Sequence, residues 1–227
     1  MECYRAIRSR HRKKRKINNL PVGMPPLRLG GMTDCFQPIE ERYKVTYETI
    51  KALNDRGIQY LIVTKSNLVA RDDYLEILDK DLAHIQISVT YTDDGFRGTN
   101  EHASLPSERI CAIETLYKNG YDVSVRLSPY IPEFVDINII NNIDCDKILV
   151  EFLRVNTWIK KWLDLDYSEY TVKQSGYYHL PLEKKIELLS KINGFKEISV
   201  CEDETEAYEY WKKNVNANPD DCCNLRR

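Results

Sequence analysis

Long hydrophobic runs are missing from this sequence of 227 residues. No apolar stretch approaches the roughly 18 residues that a membrane-spanning helix requires. Nor does an apolar stretch follow the basic N-terminus, as it would in a secretory signal peptide. Hydrophobic residues make up 42% of the chain and charged residues 30%, a composition typical of globular proteins. We therefore expect a cytoplasmic protein with one large core or two modest ones.

The sequence also lacks the cysteine pattern of a disulfide framework, because its seven cysteines are odd in number and spread along the chain. Cys111 and Cys145 have apolar neighbours, which predicts small core residues. The candidates for chemistry are Cys3, Cys35 and the adjacent pair Cys222 and Cys223. Together with Cys201 the pair could form a metal site, but adjacent cysteines rarely ligate one metal comfortably, and a partly reduced thiol pair is the simpler interpretation.

Charge is unevenly distributed along the chain. Residues 1–16 carry eight basic side chains and one acidic side chain, a net charge of +7, whereas the whole chain carries −2. A basic arm of this kind can bind a nucleic-acid backbone. The alternative is a solvated helix whose distance from the core leaves its charge without function.

Apolar segments alternate with segments of helical spacing. Strands are predicted at 27–29, 58–64, 85–90, 122–127, 147–153 and 197–200, and helices at 38–53, 74–82, 110–118, 134–142, around 158–162, at 181–192 and at 204–213. Pro129 and Pro132 should end the fourth strand, and residues 167–178 look irregular. The pattern predicts an α/β protein with a parallel sheet covered by helices.

One stretch, residues 27–40 (LRLGGMTDCFQPIE), joins a strand to a helix through a glycine pair and polar side chains. Ligands of parallel α/β folds bind where the strands end. Polar residues follow five predicted strands in turn: Thr33 and Asp34, Lys65 and Ser66, Ser88 and Thr90, Arg126 and Ser128, Arg154 and Asn156. Cationic and hydroxyl side chains gathered at the ends of these strands suit a ligand with carboxylate and ribose-like groups. Each residue alone could be an ordinary loop residue.

Four segments follow one another along the sequence and read GGMTDCFQPIEE, LIVTKSNLVARD, EHASLPSER and VSVRLSPYIP. In this order they resemble radical S-adenosylmethionine (radical SAM) enzymes of the branch related to spore photoproduct lyase, and the resemblance covers about residues 27–155. It implies a partial (β/α) barrel of the radical SAM/TIM-barrel type over 21–165, after a basic segment at 1–20 and before a short α+β extension at 166–227. It also implies S-adenosylmethionine bound against a [4Fe-4S] cluster, and a one-electron donor whose electron produces a 5′-deoxyadenosyl radical.

The resemblance also implies roles for individual residues. Gly30, Gly31 and Thr33 match the segment that receives the methionine amino group, and Asp34 adjoins it. Lys65 matches the residue that pairs with the methionine carboxylate. Ser88 matches a residue on the ribose side of the ligand, and Arg126 matches a second polar contact. Cys35 follows Asp34 directly, where a catalytic thiol could return a hydrogen atom to a substrate radical; the alternative is a small buried residue in a turn.

The sequence departs from this family in its cluster motif. The enzymes hold the cluster through CxxxCxxC, and this chain contains only Cys3-Tyr4, which resembles the last cysteine and its aromatic neighbour. One thiolate cannot hold a cluster that needs three. Two hypotheses follow: a radical SAM protein without its N-terminal cluster loop, or a non-catalytic nucleic-acid-binding protein that uses the basic arm. A cluster-free enzyme for a phosphorylated metabolite has less support, because no late glycine-rich phosphate loop is present.

Overall fold

In the computed structural model of the chain, the described residues are 25–95, 103–202, 205–219, 221–223 and 225. The basic arm and Cys3, both singled out from the sequence, lie outside them. The chain divides into two compact units. The first contains the described residues up to Ser88 and those from 103 to Val123, and the second contains 89–95 and the described residues from Ser124 onward.

The strands of the described residues form one parallel sheet of six and one antiparallel pair. In sheet order, the six are β1 (Leu27–Leu29), β2 (Tyr60–Thr64), β3 (Ala83–Ser88), β4 (Asp122–Tyr130), β5 (Lys147–Phe152) and β8 (Glu197–Val200). The pair is β6 (Val172–Gln174) with β7 (Tyr177–His179). This order confirms the α/β prediction and is consistent with a partial (β/α) barrel.

Eight α-helices lie in the same described residues: α1 (Glu40–Tyr43), α2 (Val45–Asn54), α3 (Asp72–Leu75), α4 (Pro106–Lys118), α5 (Ile137–Asn141), α6 (Ile159–Trp162), α7 (Leu182–Leu189) and α8 (Thr205–Asn214). Among the described helices, none has the length and apolarity that a membrane crossing requires.

The first unit is built on β2 and β3, which are buried along almost their whole lengths. The apolar sequence of β2 is what a strand covered on both sides requires. In β3, apolar residues alternate with the buried polar residues His84, Gln86 and Ser88. The helix predicted after β1 is in fact two, because Lys44 takes a left-handed backbone conformation with φ 50° between α1 and α2. The buried Glu40 carboxylate accepts from the amide groups of Thr46 and Tyr47, both at 2.9 Å, and so caps the start of α2.

The second unit corrects the prediction that strand β4 ends before Pro129. The strand continues to Tyr130, which pairs with Phe152 on β5 after a register shift that begins at Leu127. A local irregularity of this kind lets a strand pass a proline, which cannot donate to the ladder. Residues 128–130, which were predicted to follow the strand, are therefore part of it.

The hairpin of β6 and β7 lies in the segment predicted to be irregular. Gln174 pairs with Tyr177, which leaves Ser175 and Gly176 as a two-residue turn with φ values of 49° and 84°. Positive φ at both positions matches the twist of a hairpin. The sequence does contain a glycine between two short segments with residues that favour strands, but this is a weak signal for a hairpin.

Two smaller predictions were also wrong. The helix expected at 74–82 ends at Leu75, because residues 76–82 turn to reach β3. Cys111 is exposed on α4 and is not a core residue, whereas Cys145 is buried as predicted.

The C-terminal strand β8 pairs in parallel with β5, so residues of the predicted extension complete the edge of the main sheet.

Candidate functional site

The candidate site lies in the first unit, where β1 and β2 end side by side. Leu29 pairs with Ile62, so the chain leaves β1 opposite Val63. At that point Gly30 has φ +88°, and a Cβ on it would lie 2.2 Å from the Val63 carbonyl oxygen. Glycine is therefore required for close packing of two backbones. Gly31 has no such requirement, since its nearest neighbour would be the Arg28 side chain at 3.6 Å.

Asp34 fixes the turn that follows. Its carboxylate accepts from the Phe36 amide at 2.8 Å, from the Thr64 hydroxyl at 2.8 and 3.0 Å, and from the Lys65 amide at 2.7 Å. The Thr64 hydroxyl oxygen also accepts from the Ser66 amide at 3.0 Å. A carboxylate that receives several donors is firmly held. Asp34 therefore holds the loop after β1 against the end of β2.

A second set of hydrogen bonds shapes the segment after β2. The Ser66 hydroxyl oxygen accepts from the Leu68 amide at 3.3 Å, at the start of a single 3-10 turn over Asn67–Ala70. The Asn67 amide donates to the Ser104 hydroxyl at 2.9 Å, and that hydroxyl donates to the Asn67 side-chain oxygen at 3.0 Å. This reciprocal pair joins the turn after β2 to the entrance of α4.

Arg109 supports the same region from α4. Its side chain is fully buried, and its Nε donates to the Ser104 carbonyl at 2.8 Å while Nη1 donates to the Ser88 carbonyl at 3.2 Å. A buried guanidinium needs such acceptors. Arg109 therefore ties the loop at Ser104 to the end of β3. The sequence included it in a matched segment but gave no reason to assign this role.

These elements enclose a cleft of about 440 Å³. Its lining is mixed, with polar and charged groups beside apolar ones: Asp34, Phe36, Gln37, Pro38, Glu41, Lys65, Ser66, Asn67, Leu68, Ala103 and Ser104. A volume of this size is within the range of small-molecule sites. We call it the strand-end cleft. Asn67 and Ser104 were not predicted from the sequence, although both lie in segments that carry the family resemblance.

The predicted binding residues of this unit are only partly brought together. Asp34 and Lys65 both line the strand-end cleft. Thr33 is exposed, and its hydroxyl accepts from the side-chain amide of the lining residue Gln37 at 2.7 Å. Ser88 is buried and is not among the lining residues.

Cys35, the predicted catalytic cysteine, is half-buried in the turn beside Asp34. Its carbonyl accepts from the Thr46 hydroxyl at 2.6 Å. Burial, and next the negative charge of Asp34, raise the pKa of the Cys35 thiol above its ordinary value. The group therefore stays a protonated thiol at neutral pH, the form that a hydrogen-atom donor needs. Cys35 is not among the residues that line the strand-end cleft.

Arg126 lies in the second unit. Its guanidinium pairs with Glu151, which also accepts from the Ser128 hydroxyl. The side chain is buried, with 6% exposed. Arg126 thus has a carboxylate partner within the protein, and its role as a ligand contact stays a prediction.

The described residues do not provide a site for an iron-sulfur cluster. Among them, no three His, Cys, Asp or Glu side chains are grouped so that they could hold a metal ion. Cys3, the predicted metal ligand, lies outside the described residues. At the other end of the chain, Cys201 and Cys222 approach with their sulfur atoms 3.2 Å apart.

No known family model matches the sequence. A curated relative, the uncharacterized protein MJ0683 of Methanocaldococcus jannaschii, is 32% identical over 117 residues, which is 49% of this chain and 43% of that protein. Among solved structures, spore photoproduct lyase complexed with dinucleoside spore photoproduct matches with a TM-score of 0.55 at 15% identity. That match covers 91% of this chain and 64% of the lyase chain.

The chain has a fold similar to that of spore photoproduct lyase. A double variant of the lyase, with bound AdoMet (S-adenosylmethionine) and dinucleoside spore photoproduct, matches with the same TM-score of 0.55 at 15% identity and the same coverage, 91% and 64%. A tyrosine-to-phenylalanine variant matches at 0.55 and 17% identity over 84% of this chain and 64% of the lyase chain. Identities this low establish a shared fold and no more. The chain spans less than half of the archaeal relative and less than two thirds of the lyase.

Proposed function

We propose that this protein binds S-adenosylmethionine in the strand-end cleft and belongs functionally with the radical SAM proteins. One observation carries the proposal: Lys65 and the held loop of Asp34 share a polar cleft at the ends of β1 and β2, in a fold that binds AdoMet in the lyase. The ligand has a carboxylate, an ammonium and a ribose, and the cleft offers groups of complementary chemistry.

Each part of the cleft has a proposed task. Lys65 supplies a positive charge for the methionine carboxylate. The resemblance assigns Gly30 and Gly31 to the methionine amino group, although neither lines the cleft and Gly30 packs against the Val63 carbonyl. Asn67 and Ser104 supply amide and hydroxyl groups, and Phe36 and Leu68 supply apolar surface for a ring. Asp34 positions the loop and does not contact the ligand, because its carboxylate accepts hydrogen bonds from the loop amide of Phe36 and from the Lys65 amide that follows β2.

The chemistry that follows binding depends on reduction. When AdoMet is bound and receives one electron, it supplies the 5′-deoxyadenosyl group that radical SAM proteins use to abstract hydrogen. The described residues do not fit a [4Fe-4S] cluster, since no group of metal-binding side chains occurs among them. The cluster and its electron donor stay predictions from the resemblance.

The test is AdoMet binding by isothermal titration calorimetry at neutral pH. We expect saturable binding to the full chain and a loss of about tenfold or more in affinity for Lys65→Met, since a charge-assisted contact is removed. Lys118→Met is the matched control, because Lys118 is exposed at the far end of α4 and does not line the cleft. Equal affinity in Lys65→Met and the unsubstituted protein would contradict the assignment of the cleft.

A second candidate function is nucleic-acid binding, which the basic arm predicts from its net charge of +7. The second unit adds an observation that favours it. Trp158 and Trp162 are 59% and 66% exposed, and the Lys161 ammonium lies 5.0 Å from the Trp158 ring centroid. Exposed aromatic rings beside lysines are typical of surfaces on which unpaired bases stack.

Fluorescence anisotropy with a labelled single-stranded oligonucleotide tests this candidate. We expect affinity to fall steeply with salt and to fall again when residues 5–16 are deleted. A Trp158→Ala and Trp162→Ala double variant should weaken binding with little change in the salt dependence, because stacking carries no charge. Binding that survives both changes would contradict this candidate and would leave the AdoMet proposal untouched.

A further inference from the structure

The end of β8 and the last residues of the chain bring two cysteines together. Cys201 follows Val200 directly, and its amide donates to the Val150 carbonyl of β5 at 2.9 Å, so its backbone is fixed at the edge of the sheet. Cys222 lies in the segment after α8. Its thiol donates to the Cys201 sulfur across 3.2 Å, although the residues are 21 apart in sequence.

The approach of Cys222 is set by buried contacts of α8. Trp211 is fully buried and donates from Nε1 to the Glu202 carboxylate at 2.8 Å, and Lys185 donates to the same carboxylate at 2.5 Å. Just after the helix, the Asn216 side chain accepts from the Val200 amide at 2.8 Å and donates to the Val200 carbonyl at 3.2 Å. The chain is therefore anchored to the end of β8 just before the segment that brings Cys222 back to Cys201.

Both cysteines are free and only half-buried, so small solutes can reach them. The bond to Cys201, and next Cys223, raise the pKa of the Cys222 thiol, which keeps its proton and leaves Cys201 as the acceptor sulfur. Cys223 is held by its amide, which donates to the Asp221 carboxylate at 3.0 Å. Among the described residues these cysteines do not join other ligands in a metal site.

We propose that Cys201 and Cys222 are an oxidisable pair that forms a disulfide between the end of β8 and the C-terminal segment. The oxidant is a low-molecular-weight disulfide. The Cys201 sulfur attacks one of its sulfur atoms and releases one small thiol, and the Cys222 sulfur then attacks Cys201 and releases the second. Two protons and two electrons pass from the cysteines to the two released thiols. The sulfur atoms must close from 3.2 Å to about 2.05 Å, which needs only a small movement of the C-terminal segment.

The experiment treats the fully reduced full-length protein with oxidised glutathione, blocks the remaining thiols with N-ethylmaleimide and digests with trypsin. We expect a linked pair of peptides, one from 197–212 and one from 214–226, which lose their linkage on reduction. Cys201→Ser and Cys222→Ser should both abolish the link. Cys223→Ser should keep it, which separates the two adjacent cysteines that share one peptide.

The stability of the oxidised protein gives a second readout. Closing a loop of this length should raise Tm by at least about 5 °C over the reduced protein. Cys222→Ser should have the Tm of the reduced protein with or without oxidant, and Cys111→Ser, which changes an exposed thiol of the other unit, should behave as the unsubstituted chain does. Mixed disulfides with glutathione at Cys201 and Cys222 without the linked peptides would overturn the proposal. So would a link that survives Cys222→Ser.

Discussion

The Asp34 carboxylate accepts a hydrogen bond from the Thr64 hydroxyl, 30 residues away in the sequence, with distances of 2.8 Å to Oδ1 and 3.0 Å to Oδ2. The same carboxylate accepts the Lys65 amide at 2.7 Å, so one side chain fixes both the direction of the loop after β1 and the end of β2. Because Lys65 lines the strand-end cleft, the position of its backbone depends on Asp34.

Asp34→Asn should therefore destabilise the first unit. Asparagine has one acceptor oxygen where aspartate has two, and its amide group would face a backbone N–H that now has a carboxylate partner. We expect a loss of about 1.5–3 kcal/mol in the free energy of unfolding, measured in urea at neutral pH. Asp55→Asn, at an exposed position after α2, is the control and should stay within about 0.5 kcal/mol. Equal urea midpoints for both variants would contradict the role of Asp34.

Gly30→Ala should be costly for a different reason. An added Cβ would lie 2.2 Å from the Val63 carbonyl oxygen, and φ +88° is unfavourable for alanine. We expect at least about 2 kcal/mol of destabilisation by urea unfolding, because strain and a backbone clash add. Gly57→Ala is a matched control, since Gly57 also has positive φ, +61°, but nothing within 4 Å of an added Cβ. Its cost should be about 1 kcal/mol, and a Gly30 variant that is no worse would show that the strands can move apart.

Much of the fold could be predicted from sequence because the strands of a parallel sheet are apolar on both sides. The runs at β2 and β5 are rich in apolar residues, and each is a strand in the structure. What could not be predicted depended on tertiary contacts. The break at Lys44 arises because the Glu40 carboxylate caps the second helix. The passage of β4 through Pro129 depends on pairing with β5.

The candidate site shows the same division. The sequence predicted which strand ends carry polar groups, and Asp34 and Lys65 do line one cleft. It could not show that Asp34 is occupied by hydrogen bonds within the protein, nor that Asn67 and Ser104 bond to each other. Those facts depend on side-chain direction and on contacts between segments 37 residues apart.

Asp73 should make stability depend on pH in the acid range. Hydrogen bonds from Arg71, and then from Lys44, lower the pKa of Asp73 to about 2. Because the folded pKa lies below the unfolded value of about 3.9, the stabilisation is present above pH 4 and is lost as pH falls toward 2. The side chain is 35% exposed, so after screening we expect Asp73→Asn to cost about 1 kcal/mol or less at pH 6.

Urea unfolding at pH 6 and at pH 3 checks this expectation. The difference between Asp73→Asn and the unsubstituted protein should shrink as the pH falls, because protonated aspartate resembles asparagine in charge. Asp55→Asn serves again as the exposed control. A difference that grows on acidification would mean that the carboxylate is destabilising in the folded state, contrary to its contacts with Arg71 and Lys44.

Arg109 should link stability to the shape of the cleft. It is fully buried, and its guanidinium donates to the Ser104 carbonyl at 2.8 Å and to the Ser88 carbonyl at 3.2 Å. Arg109→Lys keeps the charge but replaces a planar fork by a single ammonium, which cannot reach both acceptors in the same geometry. We expect a loss of about 2–3 kcal/mol in the free energy of unfolding. AdoMet affinity should also fall, because the Ser104 side of the cleft is no longer tied to β3. Lys118→Met, on the same helix, should change neither quantity; if Arg109→Lys lowers stability but leaves AdoMet affinity intact, Arg109 holds the fold and not the ligand site.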